Sequence, residues 1–522
     1  MSKEKSHIHH PVPGKKPVFS HRACYICAGE HTQNSWMPNY IYPREQNNWT
    51  RDDWQKFLRM IKAFGYTNFQ YLISPTIFDL PSLKGGGIYQ WFAETMREVA
   101  DLAHAEGLEI QCVSFINVLG PKWFYACPNI PEERSNILKL FRHWMHELSG
   151  IDAVTLFPGD LGGCRENGCT HETAIDLDLE IAGIIKQESP KTRIEISTWG
   201  NPFVSWGDDA IDMPGWNRSA VDMFNSGSHE FTFQHLHGTP ERAKAAFDYL
   251  AKRLPQFPKD TTVDITLSLN KGGSGAPYAR EIANLCPVLS WDYDVSEDDN
   301  LSPHWRLDSM AYARQAEHEA APYIGGIIAT TSPKLNLLNL YGGAQTFIDP
   351  WADPTELSTH FCSSVFGPEH KDLGNLFKVF ELAPIPRVDK HDPQWAEKTR
   401  TPYHNYQGWT KNDCHRAFEL IIEHLEAAKA SDCKLPIFPD PETYRKDLLW
   451  FAHKYHEMTG PNPNRALIAW QYWEKAYAIY QRVPMGYYVA MPHCRIFANS
   501  FSDIPTGKGS GDITGKFSKF RS

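Results

Sequence analysis

The feature that most constrains the fold is a regular alternation of short apolar runs with amphipathic stretches. Eight runs of strand length lie at 23–29, 68–73, 108–116, 153–157, 193–199, 231–237, 262–270 and 324–330. Stretches with helical periodicity separate most of them, at 52–64, 90–106, 133–148, 172–187, 240–254 and 303–320. Parallel strands joined by helices close into a barrel when eight units follow one another. The alternation therefore predicts an α/β fold, a (β/α)8 TIM barrel.

The pattern changes after about residue 371, where strands stop and helical periodicity dominates. Helices are expected at 371–382, 412–430, 441–458 and 464–482, with a linking loop over 385–408. The predicted organisation is an N-terminal extension (1–20), a catalytic barrel (21–370), a helical C-terminal domain (371–499) and a flexible tail (500–522). A chain of 522 residues is long enough for a barrel with an added domain.

Composition and charge exclude several classes of partner. A net charge of -10 argues against nucleic acid, and no apolar segment is long enough to predict a membrane partner. The first residues lack the apolar core of a signal peptide, and the 11 cysteines are odd in number and scattered. A cytoplasmic protein is the simpler expectation, although a chain whose signal peptide had been removed would look the same. The aromatic helix 470–480 is suited to packing within one subunit or between copies in a homo-oligomer.

Asp160 is the first candidate for catalysis. It ends the run 153–160, which is apolar until it breaks at Pro158 and Gly159, and helical patterns flank the run on both sides. An acid at the carboxyl end of a barrel strand is placed where barrel enzymes keep catalytic groups. The alternative is an acid that caps the next helix or closes the turn, although the residues after Asp160 favour a loop.

Other polar and aromatic residues are expected to join Asp160 at the carboxyl ends of the strands. The predicted substrate-binding residues are Glu30, Asn117, Trp199, Asn201, His235, His237, Asn270, Trp291 and Tyr293. Amides and carboxylates bind hydroxyl groups, and aromatic rings stack on the flat faces of sugars. This mixture predicts a polyhydroxylated ligand, and hence a carbohydrate substrate.

Hydrolysis of a glycosidic bond needs two carboxyl groups, one to protonate the leaving oxygen and one to activate water or attack the sugar. Asp160 is the predicted acid. Asp292 is the predicted second carboxyl, because Trp291 and Tyr293 on either side could raise its pKa by desolvation. Glu30 and Glu195 compete for this role. Glu195 lies within a strand, where a buried structural acid paired with Arg193 is the alternative.

Two histidines and two cysteines are candidate metal ligands. His235 and His237 are two residues apart, so on a strand they face the same side and could bind either substrate hydroxyls or a metal. Neutral substrate-binding histidines are preferred, and we expect no metal and no cofactor. Cys164 and Cys169 are expected to form a local disulfide or to remain thiols.

The sequence that follows the eighth predicted strand resembles that of known barrels. The run Asn336-Leu337-Leu338-Asn339-Leu340-Tyr341-Gly342-Gly343 leads to Asp349-Pro350-Trp351-Ala352-Asp353-Pro354 and then to Val365-Phe366-Gly367. This order resembles the end of the barrel in retaining β-N-acetylhexosaminidases and α-glucuronidases, and the resemblance covers roughly residues 20–370. It implies a TIM-barrel glycoside hydrolase with a helical C-terminal domain. Those hexosaminidases place two adjacent acids after strand four, whereas Leu161 follows Asp160 here. Two separated carboxyls acting on a neutral or acidic sugar are therefore expected.

Three functions follow from this sequence. The first is a glycoside hydrolase, exo-acting on an oligo- or polysaccharide. The second is a metal-dependent sugar isomerase, epimerase or lyase, whose ion would be held by Glu195, Asp160, His235 and His237. The third is a carbohydrate-binding protein without catalysis.

Overall fold

The computed structural model confirms the barrel with a helical C-terminal domain. It describes residues 16–29, 49–73, 87–119, 124–158, 167–198, 240–265, 276–292, 303, 305, 307–330, 336–382 and 409–480. The flexible tail and the loop 385–408 predicted from the sequence lie outside these residues.

Eight parallel strands form one closed sheet. They are β1 (His21–Gly29), β2 (Asn68–Ile73), β3 (Glu109–Phe115), β4 (Ala153–Phe157), β5 (Arg193–Ser197), β6 (Thr262–Ile265), β7 (Val288–Asp292) and β8 (Gly326–Thr330). Each strand pairs with the next in the chain, and β8 closes the ring on β1 through the pair His21 and Gly326. A short antiparallel hairpin, Val118–Leu119 with Phe124–Tyr125, follows β3.

The order of the later barrel strands differs from the prediction. The predicted strand 231–237 lies outside the described residues, and the structure pairs β5 directly with β6, Glu195 opposite Thr262. The run from 262 is therefore the sixth strand rather than the seventh. The seventh is β7, which the sequence did not predict, because it is short and ends in Trp291 and Asp292.

Helices connect the strands and surround the barrel. They are α1 (Arg51–Phe64), α2 (Gly87–Ala105), α3 (Pro131–Glu147), α4 (His171–Glu188), α5 (Pro240–Arg253), α6 (Ala276–Ala283), α7 (Leu307–Ala320) and α8 (Leu337–Ile348). The six helices predicted for this part are confirmed within a few residues at each end. The sequence did not predict α6 and α8. Local chemistry explains some of the boundaries: Thr50 and Asp53 form a capping box at the start of α1, and Gly65 ends it in the left-handed region.

Strand residues alternate between the helices and the barrel lumen. Apolar residues of every strand, such as Phe69, Val154 and Ile196, belong to the hydrophobic core between the sheet and the helices. The residues that alternate with them face the lumen, and several are polar, among them Gln70, Thr155 and Glu195. A closed barrel of eight strands fills its interior with side chains, so these polar groups are buried with partners rather than exposed to a channel.

The amino end of the lumen is closed by an ion pair. Arg193 Nη2 lies 2.6 Å from Glu109 Oε2, and Asn68 donates to the same carboxylate oxygen at 2.6 Å. His21 is buried close to this pair, and burial lowers its pKa to about 4. Arg193 thus pairs with Glu109, not with Glu195 as the sequence had suggested. The pair plugs the end of the barrel opposite to the candidate site.

The C-terminal helices are α9 (Pro354–Phe366), α10 (Leu373–Leu376), α11 (Lys411–Ala427), α12 (Pro441–Thr459) and α13 (Arg465–Tyr480). The helix expected at 371–382 is instead α10 followed by a 3-10 turn, Phe377–Leu382. This domain contacts the barrel at Phe438, whose ring lies 4.6 Å from that of Trp49 and whose amide N–H donates to Met60 Sδ. No helix in the described part of the chain is both long and apolar enough to cross a membrane.

Candidate active site

Four aromatic side chains close the lumen below the carboxyl ends of the strands. Trp291 lies 5.0 Å from Tyr25 between ring centroids and stacks on Phe157 at 6.0 Å, and Phe157 contacts Phe115 at 5.2 Å. We call these four residues the aromatic layer. Each is at most 7% exposed, and Trp291 is 1% exposed. The layer joins four strands across the barrel mouth, so it forms the base of whatever pocket the loops build above it.

The strands dictate this position. Phe115 and Phe157 are the last residues of β3 and β4, and Trp291 is the penultimate residue of β7. Tyr25 pairs with Thr330, the last residue of β8. Every second residue of a strand faces the lumen. Large aromatic side chains at such positions near the ends of several strands therefore contact one another over the barrel axis.

A polar layer lies directly beneath the aromatic layer. Glu195 is 1% exposed, and its Oε1 accepts a hydrogen bond from Thr155 Oγ1 at 2.8 Å and another from Gln70 Nε2 at 3.3 Å. Gln70 also donates to Thr155 at 2.9 Å. Gln70, Thr155 and Glu195 are each the third residue of their strand. On β4, Thr155 precedes Phe157 of the aromatic layer by two positions. The carboxyl group is therefore held rigidly within the lumen rather than presented at the barrel mouth.

A second buried carboxyl, Asp264, lies on the neighbouring strand β6. Its Oδ1 accepts hydrogen bonds from Ser197 Oγ at 3.0 Å and from the amide N–H of Thr198 at 3.3 Å. Its Oδ2 is buried and has no hydrogen-bond partner among the residues that the structure describes. A bare carboxylate oxygen in this environment is costly, and protonation removes most of that cost.

Both carboxyls have raised pKa values. Burial raises the pKa of Glu195 to about 7, despite the hydrogen bonds from Thr155 and Gln70 that favour its charged form. Burial raises the pKa of Asp264 well above its usual range, and the nearby negative charge of Glu195 raises it further. Two acids that share a dry interior do not both ionise readily. Burial therefore favours the neutral acid form of both groups, and the charge of Glu195 favours it further at Asp264.

The structure describes three of the predicted site residues in part or whole. Trp291 lies in the aromatic layer within β7, not in a loop. Asp292 ends β7 and pairs with Ala329, which puts its backbone at the carboxyl edge, while its side chain is outside the described residues. Asn117 follows β3, is 2% exposed and donates from Nδ2 to the carbonyl oxygen of Ala126 at 3.2 Å. Asn117 therefore braces the hairpin at the barrel mouth, and its buried Oδ1 has no partner within the described part of the chain.

The remaining predicted residues lie outside the described residues: Asp160, Glu30, Trp199, Asn201, His235, His237, Asn270 and Tyr293. Their positions in the chain still relate to observed strands. Glu30 follows the last residue of β1, and Asp160 is the third residue after β4.

Sequence reasoning missed the acid in β6 and the polar partners of Glu195. Asp264 interrupts the apolar run Val263, Asp264, Ile265, and Gln70 interrupts β2 in the same way. A polar residue at an alternate position of an otherwise apolar strand was the available signal. It was not used, because a strand sequence alone does not indicate which of its two faces lies in a barrel lumen.

Two cysteines meet beside the barrel mouth. Cys127 Sγ lies 3.4 Å from Cys169 Sγ, and Asn167 donates from Nδ2 to Cys127 Sγ at 3.5 Å. Cys127 is buried between the hairpin and α3, whereas Cys169 lies just before α4 in the segment that follows Asp160. Among the described residues the partner of Cys169 is Cys127, whereas Cys164, its expected neighbour in a disulfide or as a second thiol, lies outside them. Cys127 and Cys169 are both present as thiols.

Comparisons with known proteins return structural neighbours only. No protein-family model matches the chain, and no curated protein matches it in sequence. A GH138 enzyme targeting pectin rhamnogalacturonan II superposes with a TM-score of 0.48 at 10% identity, over 97% of this chain and 67% of its own. A mutant of the O-GlcNAc hydrolase of Thermobaculum terrenum gives 0.47 at 15% identity, over 96% and 94%. CpGH84B gives 0.44 at 11% identity, over 97% and 78%. No single family is identified.

Proposed function

We propose that this protein is a glycoside hydrolase that uses Asp160 and Asp292 as its two carboxyl groups. The observation that carries the proposal is the stacking of Phe157 on Trp291 across the barrel mouth. Asp160 follows Phe157 by three residues, and Asp292 follows Trp291 directly. The aromatic contact therefore brings together the ends of the two strands that carry the proposed acids, as hydrolysis between two carboxyls requires.

The chemistry proposed for the pair is general acid catalysis with a second carboxylate opposite. Asp160 protonates the glycosidic oxygen as the bond to the leaving sugar breaks, and Asp292 activates water or attacks the anomeric carbon. The apolar surface of the aromatic layer beneath them excludes water and favours the protonated form of an acid. We infer that the enzyme is exo-acting on an oligo- or polysaccharide, since the long segment 199–239 and the helical C-terminal domain supply enough chain to close one end of the site.

The buried acids Glu195 and Asp264 support this site from below. Neither is exposed, and hydrogen bonds from residues of other strands hold both in place. We infer that they set the electrostatic environment of the barrel mouth without contacting substrate. Trp291, at 1% exposure, has the same supporting role, so the rings that stack on the sugar are expected to be Trp199 and Tyr293 in the loops above it.

One observation weighs against the metal-dependent isomerase, epimerase or lyase. That function needs Glu195 as a ligand together with His235 and His237, but Glu195 is bonded to Thr155 and Gln70 below the aromatic layer. The carbohydrate-binding protein without catalysis remains an outcome of the experiment that follows.

The test is turnover of a panel of aryl glycosides and natural oligosaccharides, with and without EDTA. Sugar release that EDTA does not affect supports the proposal, and activity that EDTA abolishes and a divalent metal restores supports the isomerase class. Asp160→Asn and Asp292→Asn are each expected to lower turnover by about 10²- to 10⁴-fold. The matched control is Asp248→Asn, on the exposed side of α5. Sugar binding without turnover by any variant or by the parent protein would favour the binding protein.

A further inference from the structure

The helical C-terminal domain contains a group of metal-ligating side chains far along the chain from the barrel mouth. Within the part of the chain that the structure describes, one group of three His, Cys, Asp or Glu side chains brings its ligand atoms within 4.8 Å of one another. The group is His415 and Glu419 on α11 with His456 on α12. We propose that these three residues form a binding site for a divalent transition metal, with Zn²⁺ as its best match.

The distances agree with a single ion bound between the three side chains. Glu419 Oε1 lies 3.9 Å from His415 Nε2 and 3.7 Å from His456 Nε2. Ligands bound 2.0–2.2 Å from a tetrahedral Zn²⁺ lie about 3.4 Å from each other. Closing this gap needs movements of a few tenths of an ångström. His415 and Glu419 are four residues apart on α11, so the helix itself sets them on one face.

The outer contacts orient His415 as a metal ligand. Its Nδ1 lies 3.1 Å from the carbonyl oxygen of His456 and 3.1 Å from Thr459 Oγ1. A carbonyl oxygen only accepts, so Nδ1 carries the proton, and in the neutral ring Nε2 keeps its lone pair. Histidines that bind metals commonly donate their other N–H to a backbone carbonyl, which fixes the tautomer and the ring orientation.

The contacts of His456 independently indicate that it is a metal ligand. Its Nε2 is buried and has no hydrogen-bond partner among the described residues, although it is directed towards Glu419. Its ring stacks on that of His415 with 3.7 Å between centroids, so the two rings must tilt for both Nε2 lone pairs to meet one ion.

The charge of the site and its access to solvent are also suitable. Glu419 Oε2 accepts a hydrogen bond from Arg416 at 2.7 Å, which leaves Oε1 for the ion. The three side chains are 31–37% exposed, so an ion can enter from solvent and a water molecule can complete its coordination. Two histidines and one carboxylate with an open position match Zn²⁺ better than Ca²⁺ or Mg²⁺, which prefer oxygen ligands. A bound ion would link α11 to the last turn of α12.

The test uses the full chain stripped of metal and titrated with Zn²⁺ by calorimetry, with the melting temperature measured with and without the ion. We expect one Zn²⁺ per chain at this site and a melting temperature that rises by several degrees. Glu419→Gln and His456→Gln should each lose that one equivalent and the rise. The matched control is His453→Gln, an exposed histidine on α12, which should retain both.

Co²⁺ provides a second readout, because the intensity of its visible absorption reports four-coordinate binding at the site. The parent protein and His453→Gln should show this absorption, and the two ligand variants should not. Zn²⁺ binding that survives both ligand variants, or no binding by the parent protein, would overturn the proposal. The result is separate from the proposed hydrolase, since EDTA should lower the melting temperature of the parent protein and leave sugar release intact.

Discussion

Replacement of Glu195 by glutamine gives a direct measure of the electrostatics inside the barrel. The carboxyl is 1% exposed and accepts hydrogen bonds from Thr155 and Gln70 through Oε1. A glutamine carbonyl oxygen at the same place can accept both bonds, and its NH₂ group stands where the proton of a neutral acid would be. Glu195→Gln therefore imitates the protonated acid and removes only the ability to ionise.

The sign of the effect on stability follows from the pKa. Burial raises the pKa of Glu195 from 4.5 in the unfolded chain to about 7 in the folded protein, so the folded state binds more protons between these values. The free energy of unfolding of the parent protein therefore falls as pH rises from 4.5 to 7 and changes little from this group above 7. At about 1.4 kcal/mol for each pH unit, the whole interval amounts to about 3 kcal/mol.

We expect Glu195→Gln to equal the parent protein in stability at pH 4.5 and to exceed it by about 3 kcal/mol at pH 8. The measurement is urea unfolding of both proteins at several pH values across that interval. Glu109→Gln is the control with the opposite sign. Burial opposes ionisation of Glu109, but its bonds to Arg193 and Asn68 lower its pKa overall, so its loss should destabilise the protein at pH 8 and less so in acid. A Glu195→Gln protein less stable than the parent at pH 8 would refute the reasoning.

Three further predictions concern packing and thiol chemistry. Trp291→Ala should cost about 3–5 kcal/mol in urea unfolding because it empties the centre of the aromatic layer, whereas Trp351→Ala, 53% exposed, should cost little. Gly374→Ala should cost about 1–3 kcal/mol in the same assay because its Cβ would lie 2.5 Å from the backbone nitrogen of Thr359; an unchanged midpoint would contradict the packing of α9 on α10. Mild oxidation should join Cys127 to Cys169, whose sulfurs need to approach by about 1.4 Å, and peptide mapping should find this pair absent from Cys127→Ser.

The prediction of the barrel succeeded where periodicity and local signals agree. Six of its helices were predicted nearly at their observed bounds, and Gly65 and Gly107, which adopt the left-handed conformation past α1 and α2, mark the ends of those helices in the sequence. The prediction failed at β7, because a five-residue strand that ends in Trp291 and Asp292 has no distinctive period. The run 231–237, which lies outside the described residues, alternates apolar and polar residues and was counted among the eight predicted strands.

The candidate site was likewise predicted only in part. The sequence predicted that a strand ends at Phe157, shortly before Asp160, because a strand boundary is a local property, but it did not predict β7, which ends at Asp292. It did not indicate that Phe157 and Trp291 meet, since that contact joins strands more than 130 residues apart in the chain and depends on closure of the sheet. The same holds for Cys127 and Cys169, which come from neighbouring loops.

Taken by itself, the sequence determined the class of fold, most of its helices and strands and the residues able to carry chemistry, because hydrophobic periodicity and turn residues act over short distances. The tertiary structure decided which strand face became the lumen. It thereby made Glu195 a buried acid bonded to Gln70 and Thr155 rather than a partner of Arg193. It also brought His456 to His415 and Glu419 across two helices. Burial and proximity set the pKa values and metal-binding potential of these groups, and both are properties of the closed, packed chain.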